Sequence, residues 1–237
     1  VWRYTIAVAV MVLLFHKQLR KVDRGLVFEG AVLGILLYIS QCFQTGALGF
    51  TDTTAGKVGF ITSLYVVQVP LFSWIYSRGK RKIRILPVLL AVVGLLLLTL
   101  NGTFGMGKGD VVALIGSLGF TFHILAIDAF GKRHSAIELM TFQVMFAAVF
   151  AWIGCWVMGS PMPETVWNMQ MLFPILYLGI FSTTFGFLLQ FLGQQHLKPE
   201  HSSILLSMES VFAMTCSVLF QGEQLNLPKL TGCVLML

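Results

Sequence analysis

Glu209 is the residue whose placement most asks for a chemical reason. It stands near the middle of the apolar run Ser202–Phe220, with Ser202, Leu205, Phe212 and Cys216 on its face at helical spacing. A carboxylate surrounded by apolar residues is costly to keep charged, so it can bind and release a proton, or it can serve as a structural carboxyl bonded to a neighbouring helix. Lys57 lies one turn into another apolar run, with Ile61, Leu64 and Gln68 on its face. It can attract an anion, pair with a carboxylate, or snorkel towards a polar boundary. His123 follows Gly116 and Gly119, and serves either as a proton relay partnering Glu209 or as a hydrogen-bonded packing residue. Asp128, five residues on, lies on a different face and reads as an i,i+4 ion pair with Lys132.

Uncharged polar residues form a second set. Gln41 and Gln44 share a helix face with Tyr38, and Gly179, Thr183, Gly186, Gln190 and Gly193 form a stripe on another helix. Amides and hydroxyls bind polar solutes without the full desolvation cost of an ion, and glycines let helices approach closely. Gln41, Gln44, Gln190, Tyr65 and Gln68, together with Lys57, are therefore candidates for contact with a small polar molecule. The same stripes also serve as plain helix contacts. Trp152, Trp156 and Trp167 read as packing residues or interfacial anchors.

Several chemistries find no footing. The sequence has no HExxH, GxSxG or P-loop pattern. Gly107-Lys108-Gly109-Asp110 spells GxGD, a pattern of intramembrane aspartyl proteases, but no Tyr-Asp partner occurs and the motif falls at a helix start. Cys42, Cys155, Cys216 and Cys233 are dispersed in apolar segments and never paired as CxxC, so neither a disulfide framework nor a zinc site is expected. No cofactor or metal is implied. Asn101-Gly102-Thr103 is a glycosylation sequon in a loop.

The elements that hold these residues follow from composition. Of the 237 residues 57% are hydrophobic and 11% charged, with a mean hydropathy of +0.84. A soluble domain carries about 25% charge, so lipid must solvate much of this surface. Nine apolar segments follow one another: Val1–Phe15, Leu26–Phe50, Thr54–Tyr76, Ile85–Asn101, Val111–Phe130, Ile137–Met158, Met171–Gly193, Ser202–Phe220 and Leu230–Leu237. The interior ones have the length of a membrane-crossing helix, and only helices satisfy their own backbone in lipid without barrel closure. The fold class is all-α and polytopic.

The net charge of +6 does not indicate nucleic acid, because the basic residues sit in short gaps between the apolar runs. Four alternate gaps hold Lys17, Arg20, Lys21 and Arg24; Arg78, Lys80, Arg81, Lys82 and Arg84; Lys132 and Arg133; and Lys198. The intervening gaps hold only Lys108 and Lys229, so the basic gaps are expected to be cytoplasmic. Residues from Ala55 to Arg78 can be laid on Glu200 to Glu223 as a long apolar helix, a short turn and the start of another helix. The first copy leads to a basic gap and the second to a poorly charged one. Such copies would cross the membrane in opposite senses, as in an inverted repeat.

The residues also resemble a known family. Trp2-Arg3-Tyr4 with Ala7, then Ala55-Gly56-Lys57, Gly59-Phe60-Ile61-Thr62 and Leu64-Tyr65-Val66-Val67 with Pro70, resemble the second and fourth helices of EamA-type members of the drug/metabolite transporter superfamily. Glu209-Ser210-Val211-Phe212-Ala213, Gly222-Glu223 and Leu230-Thr231-Gly232 resemble the ninth helix and the turn into the tenth. Two departures are Ser210, where many relatives carry proline, and Arg78, where a counterpart of Glu223 would be acidic. The resemblance implies inverted five-helix halves, residues 1–102 (helices 2–5) and 108–237 (helices 6–10). On that template the first helix is missing and the tenth truncated, and both ends read as cut. It further implies a secondary transporter in a bacterial inner membrane, possessing a central cavity for a small polar or amphipathic metabolite. Export coupled to protons through Glu209 is the expectation, and a nucleotide-sugar or triose-phosphate exchanger, a scaffold or a membrane enzyme the alternatives. Its partners would be that substrate and lipid, with no nucleic acid.

Overall fold

The computed structural model describes residues 1–17, 22–53, 55–79, 85–99, 107–159, 169–221 and 227–236. Arg20, Lys21, Lys80, Arg81, Lys82, Arg84, the sequon at Asn101, Trp167 and the Gly222-Glu223 pair lie outside them. The described residues form helices and turns with no strand. In order these are α1 (Trp2–Phe15), α2 (Arg24–Ala47), α3 (Ala55–Ser63), α4 (Tyr65–Tyr76), α5 (Ile85–Thr99), α6 (Lys108–Phe130) and α7 (Ala136–Val157). There follow α8 (Met169–Tyr177), a π-helical segment (Leu178–Gly186), α9 (Phe187–His196), α10 (Pro199–Ser207), α11 (Glu209–Gln221) and α12 (Leu227–Met236).

Several of these join into continuous spans. Among the described residues six are long and apolar enough to cross a membrane: Arg24–Ala47, Gly56–Tyr76, Lys108–Phe130, Ala136–Val157, Met171–His196 and Pro199–Phe220. Trp2–Phe15, Ile85–Leu97 and Leu227–Met236 are shorter apolar helices. Each corresponds to one of the nine segments read from the sequence. Large apolar side chains such as Leu13, Phe28, Trp156 and Phe220 remain exposed, the surface of a protein whose solvent is lipid. Local signals set the helix starts. Ser135 and Glu138 form a capping box at α7, each accepting the other's backbone N–H, and Pro199 opens α10 at a position where its missing N–H costs nothing.

The described helices pack as two compact units, Val1–Tyr38 with Ala126–His196 and Ile39–Leu125 with Leu197–Leu237. The division falls inside α2 and α6. In the first unit, Met11, Leu33, Leu139, Met140, Val144 and Phe191 form the core. Gly30 and Gly34 lie against α7: a Cβ on Gly34 would come 2.8 Å from Gln143 O. Arg3 Nε donates to Thr183 Oγ1 at 3.1 Å and Trp152 Nε1 to Thr5 Oγ1 at 3.1 Å, tying α1 to the π-helical segment and to α7. Inside that segment Thr184 Oγ1 donates to Gly179 O, five residues back, at 2.8 Å, which spends a carbonyl on a side chain.

In the second unit Val66, Ala91, Leu95, Val211 and Met236 share a core. Gly94 brings α5 against α12, where a Cβ would come 2.7 Å from Gly232 O. Lipid is as apolar as a leucine, so these contacts rest on close packing more than on removal from water.

Candidate functional site

The second unit holds two interrupted helices with one interruption geometry. Between α3 and α4, Leu64 N–H donates to Ile61 O at 3.2 Å, and Leu64 O accepts from Val67 N–H at 2.9 Å and Gln68 N–H at 3.1 Å. Between α10 and α11, Met208 N–H donates to Leu205 O at 3.2 Å, and Met208 O accepts from Val211 N–H at 2.9 Å and Phe212 N–H at 3.1 Å. All three bonds correspond at a spacing of 144 positions, as in Leu64 and Met208. Each is a single tight turn in an otherwise α-helical span. Neither step contains proline or glycine; Pro70 follows only the first. Both steps follow a buried serine, Ser63 or Ser207. The sequence comparison had laid Ala55 on Glu200; the bonds lay it on Pro199, one position earlier.

The two spans run antiparallel. Ser73, near the end of α4, donates through Oγ to Glu200 in the first turn of α10, while Tyr65, at the start of α4, lies in the electrostatic field of Glu209 at the start of α11. Partner numbers fall as α4 advances. Tyr65 is buried and its hydroxyl is hydrogen-bonded to Ser63. It packs with Val69 and Ile124. Glu209 stays exposed. The two expected site residues at equivalent steps are thus brought within electrostatic reach of each other.

Gln68 lies three residues beyond Tyr65 on the same face. Its side-chain oxygen contacts two hydroxyls of α6, Thr121 Oγ1 at 2.7 Å and Ser117 Oγ at 3.2 Å. These fix the amide and spare α4 an unanswered polar group. Ser117 and Thr121 were not singled out in the sequence, where they look like ordinary small residues. Gly116 and Gly119 place α6 against α2, beneath Phe43 and Ser40, one turn or less from Gln44 and Gln41. Those two glutamines are half-buried, and His123 is fully buried on α6. Gln190, also half-buried, belongs to α9 and the first unit.

Lys57 is committed to a carboxylate. Its Nζ pairs with Asp110, a side chain only 1% exposed. Asp110 also accepts from Thr53 Oγ1 at 2.7 Å and Gly107 N–H at 2.8 Å. Asp52 caps α6 by accepting from Lys108 N–H at 2.7 Å and Gly109 N–H at 3.1 Å. This explains the GxGD motif without proteolysis. A Cβ at Gly107 would fall 2.6 Å from the Asp52 carboxyl carbon and one at Gly109 2.7 Å from Thr53 Cγ2, so glycines let this loop rest on the helix start. The Asp128–Lys132 pair is present at 3.5 Å. Among the described residues no group of three or more His, Cys, Asp or Glu converges as a metal site.

Three likenesses accompany this geometry. The model of a family described as the EamA-like transporter family matches residues 107–237, more than half of the chain. A protein of Archaeoglobus fulgidus named an uncharacterized transporter is 30% identical over 210 residues, which cover 88% of this chain and 66% of that relative. The chain therefore spans just under two thirds of the relative's length. A crystal structure described only as that of a protein matches with a TM-score of 0.80 at 18% identity, over 99% of this chain and 83% of the other, a likeness of fold.

Proposed function

The chain belongs to the EamA-like transporter family and is an integral membrane protein, and we propose that the whole protein is a secondary transporter moving a small polar or amphipathic metabolite by alternating access. The observation that carries this reading is the pair of antiparallel spans interrupted by the same three backbone bonds. Two copies of one element in opposite senses are what an inverted repeat requires, and such repeats build two interchangeable gates around one site. The halves are residues 1–102 and 108–237.

Within this reading Glu209 carries the coupling proton. It sits at the first residue after its step, exposed and close enough to act electrostatically on Tyr65. Gln68 and Tyr65 form the substrate-contacting face of α4, with Gln41, Gln44 and His123 on neighbouring helices of the same unit; Gln190, on α9 of the first unit, is a separate candidate for substrate contact. Lys57 reads as an anchor of α3, because its charge is answered by Asp110. That commitment weighs against an exchanger of phosphate-bearing anions, which needs spare cations. With no nucleotide-binding pattern in the sequence, uphill movement draws on an ion gradient or on exchange, in the export direction, across a prokaryotic cytoplasmic membrane.

The test uses the full-length protein in proteoliposomes holding a pH-sensitive dye, with gradients drawn from a panel of amino acids and small metabolites. Substrate-dependent proton movement that disappears in Glu209→Gln is expected. Labelled-substrate flux without proton movement would remove the coupling role while keeping transport. Folded protein showing no flux across the panel would overturn the transporter reading.

A further inference from the structure

Glu29 is a buried charge that the transport reading leaves unused. It lies on α2, three residues after Leu26 and four before Leu33, both members of the first unit's core, and is 3% exposed. Its Oε1 accepts from Arg133 Nη1 at 3.1 Å, but the Arg133 side chain is itself 72% exposed. Its Oε2 is buried and accepts no hydrogen bond, although His134 Nε2 stands 3.3 Å away. Asp23 caps α2 by accepting from Leu26 N–H at 2.9 Å, and its Oδ1 is 4.0 Å from the same imidazole nitrogen.

Around this cluster the described carboxylates of α6 and α7 are bonded elsewhere. From α9, Gln195 Nε2 donates to His134 O at 3.0 Å and Gly131 O at 3.1 Å, which positions the α6–α7 turn. Its neighbour Gln194, one turn past the core residue Phe191, has both amide atoms buried without a hydrogen-bond partner. On α6 Asp128 is answered by Lys132, and on α7 Glu138 is spent on the Ser135 cap. This end of the unit thus contains a carboxylate oxygen and an amide without a hydrogen-bond partner among the described residues, beside His134 of the turn.

A buried carboxylate oxygen without a hydrogen bond is destabilising. A neutral imidazole out of line at that distance relieves it little, whereas an imidazolium supplies an opposite charge. Histidine is the side chain that changes charge near neutral pH. We propose that Glu29 and His134 form a proton-binding site at the end of the first unit that carries Lys132 and Arg133, and that proton binding there fastens the start of α2 to the α6–α7 turn and slows the transport cycle. With His134 charged, Asp23 and Glu29 face two cations. With it neutral, Glu29 holds the turn to α2 only through the exposed Arg133, and exposed pairs hold weakly. The fastening is therefore present with the proton bound and lost without it. Only the slowing of the cycle rests on the transporter reading.

Backbone hydrogen exchange of residues 131–136, corrected for intrinsic rates, tests the site on the full-length protein from about pH 5.5 to about pH 8, the range in which an imidazole titrates. Protection that falls several-fold as pH rises is expected in wild type. His134→Gln and Glu29→Gln should each flatten that dependence, and His134→Arg should keep protection high throughout. An unchanged pH profile in His134→Gln overturns the proposal. Should Glu29→Gln fail to fold, the two His134 variants decide alone. In proteoliposomes, acid on the basic-loop side should slow wild type but not His134→Gln. Equal slowing of both overturns the control of the cycle. Absence of flux in wild type refutes the transporter reading instead, and the exchange result still decides the proton site.

Discussion

The interrupted spans α3/α4 and α10/α11 share a backbone and differ in chemistry. Their first segments are nine residues each, and the steps at Leu64 and Met208 carry corresponding bonds. Position by position, however, Lys57 faces His201 in the alignment, Tyr65 faces Glu209, Gln68 faces Phe212 and Pro70 faces Met214. In the first span the polar groups are spoken for: Lys57 by Asp110, Gln68 by Thr121 and Ser117. In the second, the carboxylate of Glu209 is left exposed. The two spans have the same step geometry, with a carboxylate directly after only one of the two steps. The comparison also shows that proline does not cause the step, since Met208 has none within its turn. The preceding serine is the shared side chain: Ser207 Oγ donates to Ile204 O at 2.7 Å, and Ser63 bonds the Tyr65 hydroxyl.

The sharpest break of this comparison removes what the first span has and the second lacks. Asp110→Ala should leave Lys57 buried without its carboxylate and cost about 3–5 kcal/mol, the range for breaking one side of a buried pair. Denaturation of the purified protein in mild detergent measures it. Lys57→Met should cost less, and the double variant should lose less than the sum of the two, since a shared interaction is deleted once. Additive losses would mean the pair is not an anchor. Pro199→Ala, in the first turn of the second span, should be near neutral by the same assay.

How much of this was legible follows from range. The nine apolar segments could be read because hydropathy and helix length are local properties, and the Asp128–Lys132 pair because its partners are four residues apart. The partner of Lys57 could not. It lies 53 residues away, inside a glycine motif whose purpose is visible only once Asp52 and Thr53 rest on it. Glu29 was hidden for another reason: it follows closely on a basic gap, where an acid looks like part of a solvated end. Its spacing from Leu26 and Leu33 was the available signal that it turns inward. The steps at Leu64 and Met208 carry no proline or glycine, so propensity is silent about them. The likeness of these two spans was therefore visible in outline and displaced by one residue in register.

A smaller effect separates packing from polar chemistry within the second unit. Gly94→Val should force α5 away from Gly232 on α12 and cost about 1–3 kcal/mol, the usual penalty of overpacking. The loss should come without any change in substrate selectivity. Thr121→Val, nearly the same in shape as threonine, should cost only about 0.5–1.5 kcal/mol, the net worth of one hydrogen bond. Here the informative readout is transport. If Gln68 contacts substrate, releasing its amide should raise KM more than it changes the maximal rate. A variant with lost stability and unaltered KM would reduce Gln68 to a packing residue.

The smallest expected change in stability belongs to the residue with the largest expected change in function. Glu209 is exposed and lies in the first turn of α11, where a helix N-terminus favours negative charge by about 0.3–1 kcal/mol at most. Glu209→Gln should therefore shift the unfolding free energy by no more than that. Tyr65→Phe, at the equivalent and buried position, should cost about 1 kcal/mol through the lost hydroxyl bond. The order matters more than either value. A glutamate kept for architecture would be missed by the fold, and a tyrosine kept only for chemistry would not. Should Glu209→Gln prove the more damaging of the two, its carboxylate is bonded into the helix packing and the proton must be carried elsewhere.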